Sequence, residues 1–298
     1  MATEAETLDA YGVMPPSRPL IIDFLLKLRR HPLGMFGFVV VILLLAVAIL
    51  APWITPHSPT NQDFALLHRP TMDHPFGTDR LGRDVLSRVI SATPYELRIA
   101  LTSVFAGVAL ATVLGLVSGY LGGIIDFLVQ RIVDSWLAFP PLILLIIISA
   151  VLNPSISTLT IALIIGVIPG TSRVIRGAVL AEKNNVYVEA ARVIGASQLR
   201  IMVRHILPQV IAPIIVIISI MIPVIALLGA ALSFLGLGVP PPTPSWGKDL
   251  ADAQEFFRHA PWMALFPGAA ISLTVLSFNM LGDAMRDIFD PRLRGTTH

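Results

Sequence analysis

Few side chains in this sequence are placed for reactive or ligand-binding work. His57, His68 and His74 share one stretch and invite a metal reading. Their spacing is irregular, however, and the chain has no Cys to complete a thiolate site. Gly247-Lys248-Asp249 sets a lysine after a glycine, but it lacks the glycine spacing and the Ser or Thr of a phosphate-binding loop. No His/Glu pair has metalloprotease spacing, and no G-x-S-x-G elbow occurs. The best-organised polar stretch is YVEAARVIGASQLRIMVRHILPQV, residues 187–210. It sets Glu189, Arg192, Arg200, Arg204 and His205 around Gly195, between two long apolar runs. The expectation is a chain with no catalytic residue, no metal and no bound cofactor, and its polar centre reads either as a dock for a partner or as an ordinary connecting loop with amphipathic helices.

Those apolar runs are the elements that must hold the stretch. The chain has 298 residues, 55% hydrophobic and 13% charged, about half the charge of a soluble domain of this length. Apolar stretches of about 20 residues recur, long enough to cross a bilayer as helices. The fold class expected is an all-α polytopic membrane protein. Spans are expected at about 34–54, 97–119, 127–152, 156–176, 210–235 and 262–282. Residues 1–33 read as a partly disordered leading segment with a short amphipathic helix at about 19–30. Ala46-Val47-Ala48 mimics a leader cleavage site but lies inside the first apolar run, so that run is read as a retained span. A formal charge of +2 gives no reason to expect nucleic acid binding.

Orientation follows the basic residues. With the N-terminus cytoplasmic, Arg18, Arg30, Arg131, Arg173, Arg200, Arg292 and Arg294 are among fourteen basic residues on the inner side, against seven outside. Residues 187–210 and both termini are then expected in the cytoplasm, and 55–96 and 236–262 outside. In the first outer loop Leu81, Val85, Val89 and Ile90 share one helical face. Arg80, Arg83, Asp84, Ser87 and Arg88 share the other, with Asp84 and Arg88 spaced for an i,i+4 ion pair. This predicts an amphipathic helix lying at the interface ahead of the second span. Trp246 and Trp262 are expected as interfacial anchors, with a short helix between them. Ionisable groups are nearly absent from span interiors, which lowers the expectation of a stand-alone secondary transporter or channel. Arg131 and Asp134, at the inner end of the third span, are spaced to pair and to brace the cytoplasmic loop. Pro140-Pro141, Pro169, Pro213 and Pro223 fall inside spans, where each can kink a helix.

Within the polar stretch, Val186, Ala190, Val193 and Ile194 fall at i, i+4, i+7 and i+8, an apolar stripe. Ala190 and Ala191 are small and permit close approach. Gly195 permits a tight reversal and Ser197 can cap a second helix. There Leu199, Met202, Val203 and Ile206 form one face, Arg200 and Arg204 the other, and Pro208 opens the fifth span. The expected object is a rigid helical hairpin packed on its own bundle.

EAARVIGASQLRIMVRHILP resembles the EAA loop of ABC importer permeases, with Glu189, Ala190, Ala191, Gly195, Leu207 and Pro208 in the pattern's places. His205 stands where the general pattern has Ile. HPFGTDRLGRDVLSR, DSWLAFPPLILLI, FLGLGVPPPTPSWG and the leading RRHPLGMFG narrow the match. Over about residues 29–292 the chain is similar to the C-type permease subunit of dipeptide/oligopeptide importers. The resemblance implies the type I importer permease fold, with a core at 97–292, the EAA loop at 177–209 and a short tail at 293–298. It implies a bacterial inner-membrane location and a homologous B-type permease that completes the pore. Two cytoplasmic ATPase domains, which hold ATP and Mg, and an outer substrate-binding protein complete the assembly. ATPase coupling is expected at Glu189, Ala190, Ala191, Gly195, Ala196, Ser197, Leu199, Arg200 and Pro208. Nickel or glutathione import on the same architecture is the alternative cargo.

Overall fold

The computed structural model describes residues 26–29 and 31–289, without the Phe289 side chain. The leading amphipathic helix expected at 19–30 lies mostly outside the described residues, as do Arg18, Arg30, Arg292 and Arg294. Among the described residues the elements are helical. They are α1 (Pro32–Ile54), α2 (Val85–Leu121), α3 (Gly123–Leu137), α4 (Pro141–Val151), α5 (Ile156–Lys183), α6 (Val186–Val193), α7 (Gln198–Phe234), α8 (Trp246–Ala253) and α9 (Trp262–Phe289). α1, α2, α5, α7 and α9 are each long and apolar enough to cross a membrane. α3 and α4 pass that test together but meet at an 88° bend. The third span, expected at about 127–152 with prolines that can kink it, is thus broken into two helices. Pro140 and Pro141 explain the knee: Pro disfavours a helical residue before it and withholds a helical N–H, so the chain restarts at Pro141.

One core joins α1, α2, α5, α7 and α9. Val41 and Leu44, Val104 and Val108, Leu159 and Leu163, Ile225 and Leu232, and Phe278 are all buried in it. Lipid would not drive these apolar surfaces together, so close backbone approach must. Gly115 of α2 lies so near α5 that a Cβ would stand 2.8 Å from the Ser172 carbonyl oxygen. Gly37 of α1 is as tight against α9, 2.5 Å from the Ser277 carbonyl oxygen by the same construction.

The two ends of the bundle differ. At one, residues 55–84 and 236–261 fold together over the heads of α2 and α9, and this is called the cap end. Here the interfacial helix expected before the second span does not form as a separate element. α2 runs unbroken from Val85, and Asp84 caps it by accepting from the Ser87 N–H at 2.8 Å. The expected Asp84–Arg88 pair is also absent. Arg88 is buried and donates instead to Asp249 of α8, through Nε at 3.0 Å and Nη2 at 2.5 Å, and through Nη1 to the Pro59 carbonyl at 3.0 Å. Asp84 takes the His74 ring nitrogen at 2.9 Å. Arg83 pairs with Asp79 at 2.5 Å. The face that looked solvated is thus an internal ion network, and pairing is what makes burial of these charges tolerable. Trp246 and Trp262 are buried too, not interfacial anchors. Their indole N–H groups donate to the Val89 carbonyl at 3.0 Å and the Thr78 carbonyl at 3.1 Å.

Candidate docking hairpin and chamber

The opposite end carries α6 and the head of α7. α6 leaves α5 through Asn184 and Asn185, and its eight residues end at Val193, with Ile194 as the cap. Gly195 then takes φ +80°, a conformation L side chains rarely adopt, and reverses the chain. Ser197 restarts it, its hydroxyl accepting from the Arg200 N–H at 3.4 Å. The hairpin expected from the sequence is there, but its second arm is the beginning of α7 rather than a separate helix. A π-helical turn, Ile201–Ile206, joins the two, with the Leu207 N–H reaching back to the Met202 carbonyl. Pro208 accounts for its place: a proline has no N–H for the carbonyl four residues earlier and its ring crowds it, which a wider turn relieves.

The packed face is not the expected one. Val188 and Ala191 are buried, with Ile201, Met202 and Ile206 of the second arm, against Leu116 and Tyr120 of α2 and Ile175 and Val179 of α5. Val186, Val193 and Ile194 are each at least 81% exposed, and Ala190, Leu199 and Val203 are exposed as well. α6 has apolar residues on two sides, so periodicity alone cannot choose between them. Ala191 lets the helix sit closer to α2 and α5 than a row of β-branched side chains would. Lys183, the last residue of α5, and Arg192 of α6 stand over the Tyr120 ring, 5.8 Å and 5.5 Å from its centroid, and tie both helices to α2. Glu182 accepts from the Tyr187 hydroxyl at 2.7 Å and from the Asn185 amide at 2.6 Å. Burial, and secondarily Glu182, push the Tyr187 hydroxyl up from its ordinary value.

The sequence-predicted docking residues therefore divide. Ala191 packs inward and Ala196 is half-buried. Glu189, Ala190, Gly195, Ser197, Leu199, Arg200 and Pro208 are exposed. Beside the turn and the second arm lies a groove of about 260 Å³ lined by Ile194, Ala196, Arg200, Arg204 and His205. Arg131 and Asp134 do not pair with each other. Asp134 pairs with Arg173 of α5, and Asp126 accepts two bonds from Arg176, at 2.6 Å and 2.5 Å. Both contacts clamp α3 to α5, the helix that leads into the hairpin.

The second feature is a chamber of about 880 Å³ beside the α3–α4 knee. Trp136, Phe139, Gly166, Pro169, Pro213 and Met221 are among its lining residues, from α3, the knee, α5 and α7. Its wall is mostly apolar. The internal prolines were the only signal for it, because they mark where helices bend away from each other.

A scan for protein families matches residues 111–295 to the binding-protein-dependent transport system inner membrane component. The chain belongs to this family. Residues 20–70 match the N-terminal TM domain of oligopeptide transport permease C. The chain is 43% identical over 275 residues to the glutathione transport system permease protein GsiD of Escherichia coli, covering 92% of this chain and 91% of the relative. It is 39% identical over 269 residues to a putative peptide transport system permease protein of Brucella abortus, covering 90% of each. As an ABC permease it is a multi-pass inner-membrane protein. The bent α3–α4 pair, the cap and the hairpin are then parts of one transport subunit.

Proposed function

We propose that this permease forms half of the pore of an ATP-driven importer of dipeptides and oligopeptides, and that its hairpin docks a cytoplasmic ATPase. The observation that carries the docking is the exposed face of α6. Val186, Val193, Ile194 and Leu199 stand unpacked around Gly195, on an element whose other face is fixed to α2 and α5. Apolar tips on a rigid base suit a partner's groove, whereas a loop serving only to connect two spans has no need of them. The hairpin end is then cytoplasmic and the cap end extracytoplasmic, where a substrate-binding protein delivers cargo.

The coupling has a physical route. The second arm is continuous with α7, and α5 feeds the first arm directly, so a displacement of the hairpin moves two spans that line the chamber. ATP binding and hydrolysis occur on the partner ATPases, and the chemistry supplied here is mechanical. Coupling of about 1–3 kcal/mol per linked step is typical of such two-site systems. Glutathione is a second cargo reading, supported by the relatives that carry that name.

Co-purification tests the docking. Replacing Val193 and Ile194 together with Ser should lower ATPase association at least about tenfold, since each buried aliphatic side chain is worth about 1.5–3 kcal/mol. The variant should still insert and melt like the wild type, because both side chains are exposed. Unchanged association with the ATPase would contradict the reading.

A further inference from the structure

The charged groups at the rim of the chamber are unequal in their engagement. Glu182 and Arg286 both line it. Glu182 is held by Tyr187 and Asn185. Arg286 of α9 makes no hydrogen bond or ion pair with any other described residue. A guanidinium presents a planar fork of donors matched to a carboxylate, and a mostly apolar wall sharpens that preference. Two prolines also stand in this wall. Pro169 and Pro213 line the chamber, and each withholds the helical N–H from the carbonyl four residues earlier, those of Ile165 and Gln209. Small residues keep the path open: a Cβ placed on Gly170 would meet nothing within 4 Å.

We infer that this chamber is a binding site for a short peptide, held with its C-terminal carboxylate on Arg286. Its side chains lie on the apolar wall. The inference deepens the transport reading and rests on it. A volume of about 880 Å³ lies in the range of small-ligand sites, roughly 300–1,000 Å³. A helix of the partner permease is the rival occupant. Its backbone N–H groups are already spent on its own carbonyls, and it brings no terminal carboxylate, so it would leave Arg286 against an apolar surface.

Trp136 lines the chamber and is a built-in probe. The purified transporter, with its partner permease and ATPases, is titrated with trialanine and with trialanine amide while tryptophan emission is followed. Trp136→Phe identifies the signal. The free acid is expected to bind at least about tenfold tighter than the amide, as loss of a charge-assisted bidentate contact would give. Arg286→Gln should bring the acid down to the affinity of the amide and leave the amide unchanged, while Arg286→Lys keeps part of the preference. Equal binding of acid and amide in the wild type, or a preference that survives Arg286→Gln, overturns the inference. So does a Val174→Cys variant that crosslinks to a partner helix with no Trp136 response to peptide. ATP-driven uptake of trialanine is measured on the same preparation. Uptake without a Trp136 response overturns the site and leaves the transport reading standing, whereas absence of ATP-driven peptide uptake overturns the transport reading.

Discussion

At the level of single residues, the buried pair Arg88–Asp249 is the most demanding contact in the cap. Burial raises the Asp249 carboxyl above its ordinary value, and Arg88 beside it works in the opposite direction. A carboxyl raised in the folded state adds stability only while protonated, and that contribution is lost as pH rises through its folded value. Removing Arg88 removes the opposing effect and leaves a buried carboxylate unpaired. Arg88→Ala should therefore destabilise the protein by about 3–5 kcal/mol above neutral pH. The deficit should shrink on acidification, as Asp249 takes up a proton. Melting curves of wild type and variant at roughly pH 8 and pH 5 check the sign, and a gap that does not narrow would refute it. Gly195 makes the opposite case. A Cβ there meets nothing within 4 Å, yet φ is +80°. Gly195→Val should cost about 1–2 kcal/mol of local strain. Its larger effect should be on whatever docks against the turn, seen as reduced ATPase co-purification from a chain that still melts cooperatively.

Among the elements, α2 and α5 pack closely, and the glycines Gly107, Gly115 and Gly119 make it possible. Gly115→Val would drive a side chain into the Ser172 carbonyl and the Arg176 N–H, 2.8 Å and 3.0 Å from the Cβ position. Overpacking of this kind costs about 1–3 kcal/mol, and backbone cannot yield as a side-chain tip can. The expected outcome is a lower melting temperature in detergent, with a smaller loss for Gly170→Ala, which opens on the chamber. These contrasts also mark what sequence could and could not convey. The existence of the spans was legible, because about 20 apolar residues in a row have few other uses. Gly195 and Ser197 placed the hairpin correctly, since a reversal and a cap have local signatures. Which face of α6 packs was not legible, since both faces offer apolar residues and each carries one small residue, Ala190 outside and Ala191 inside. Nor was the Arg88–Asp249 pair, whose members stand 161 positions apart and whose local spacing pointed Arg88 at Asp84. The length of α2 was hidden by the same ion network, which made a buried helical head read as a solvated one.

For the whole molecule, the structure divides into a braced part and a loosely held one. The cap ties the heads of α2, α8 and α9 together through buried ion pairs and the Trp246 and Trp262 hydrogen bonds, and the core joins the same spans to α1 and α7. The α3–α4 knee lies at the side of this frame, clamped to α5 by Asp126–Arg176 and Asp134–Arg173. The chamber sits between the knee and the frame. Motion delivered to the hairpin reaches α5 and α7 first, and both line that chamber. Whether the hairpin touches the ATPase decides the proposed coupling. The chain contains no Cys, so a single introduced cysteine is a clean reporter. Cysteine crosslinking in the assembled transporter, with Ile194→Cys compared against Ile124→Cys at the start of α3, is the most direct measurement. The prediction is an ATPase crosslink from position 194 that strengthens when ATP is bound, and none from position 124. A crosslink from position 124 alone, with position 194 silent in every nucleotide state, would contradict it.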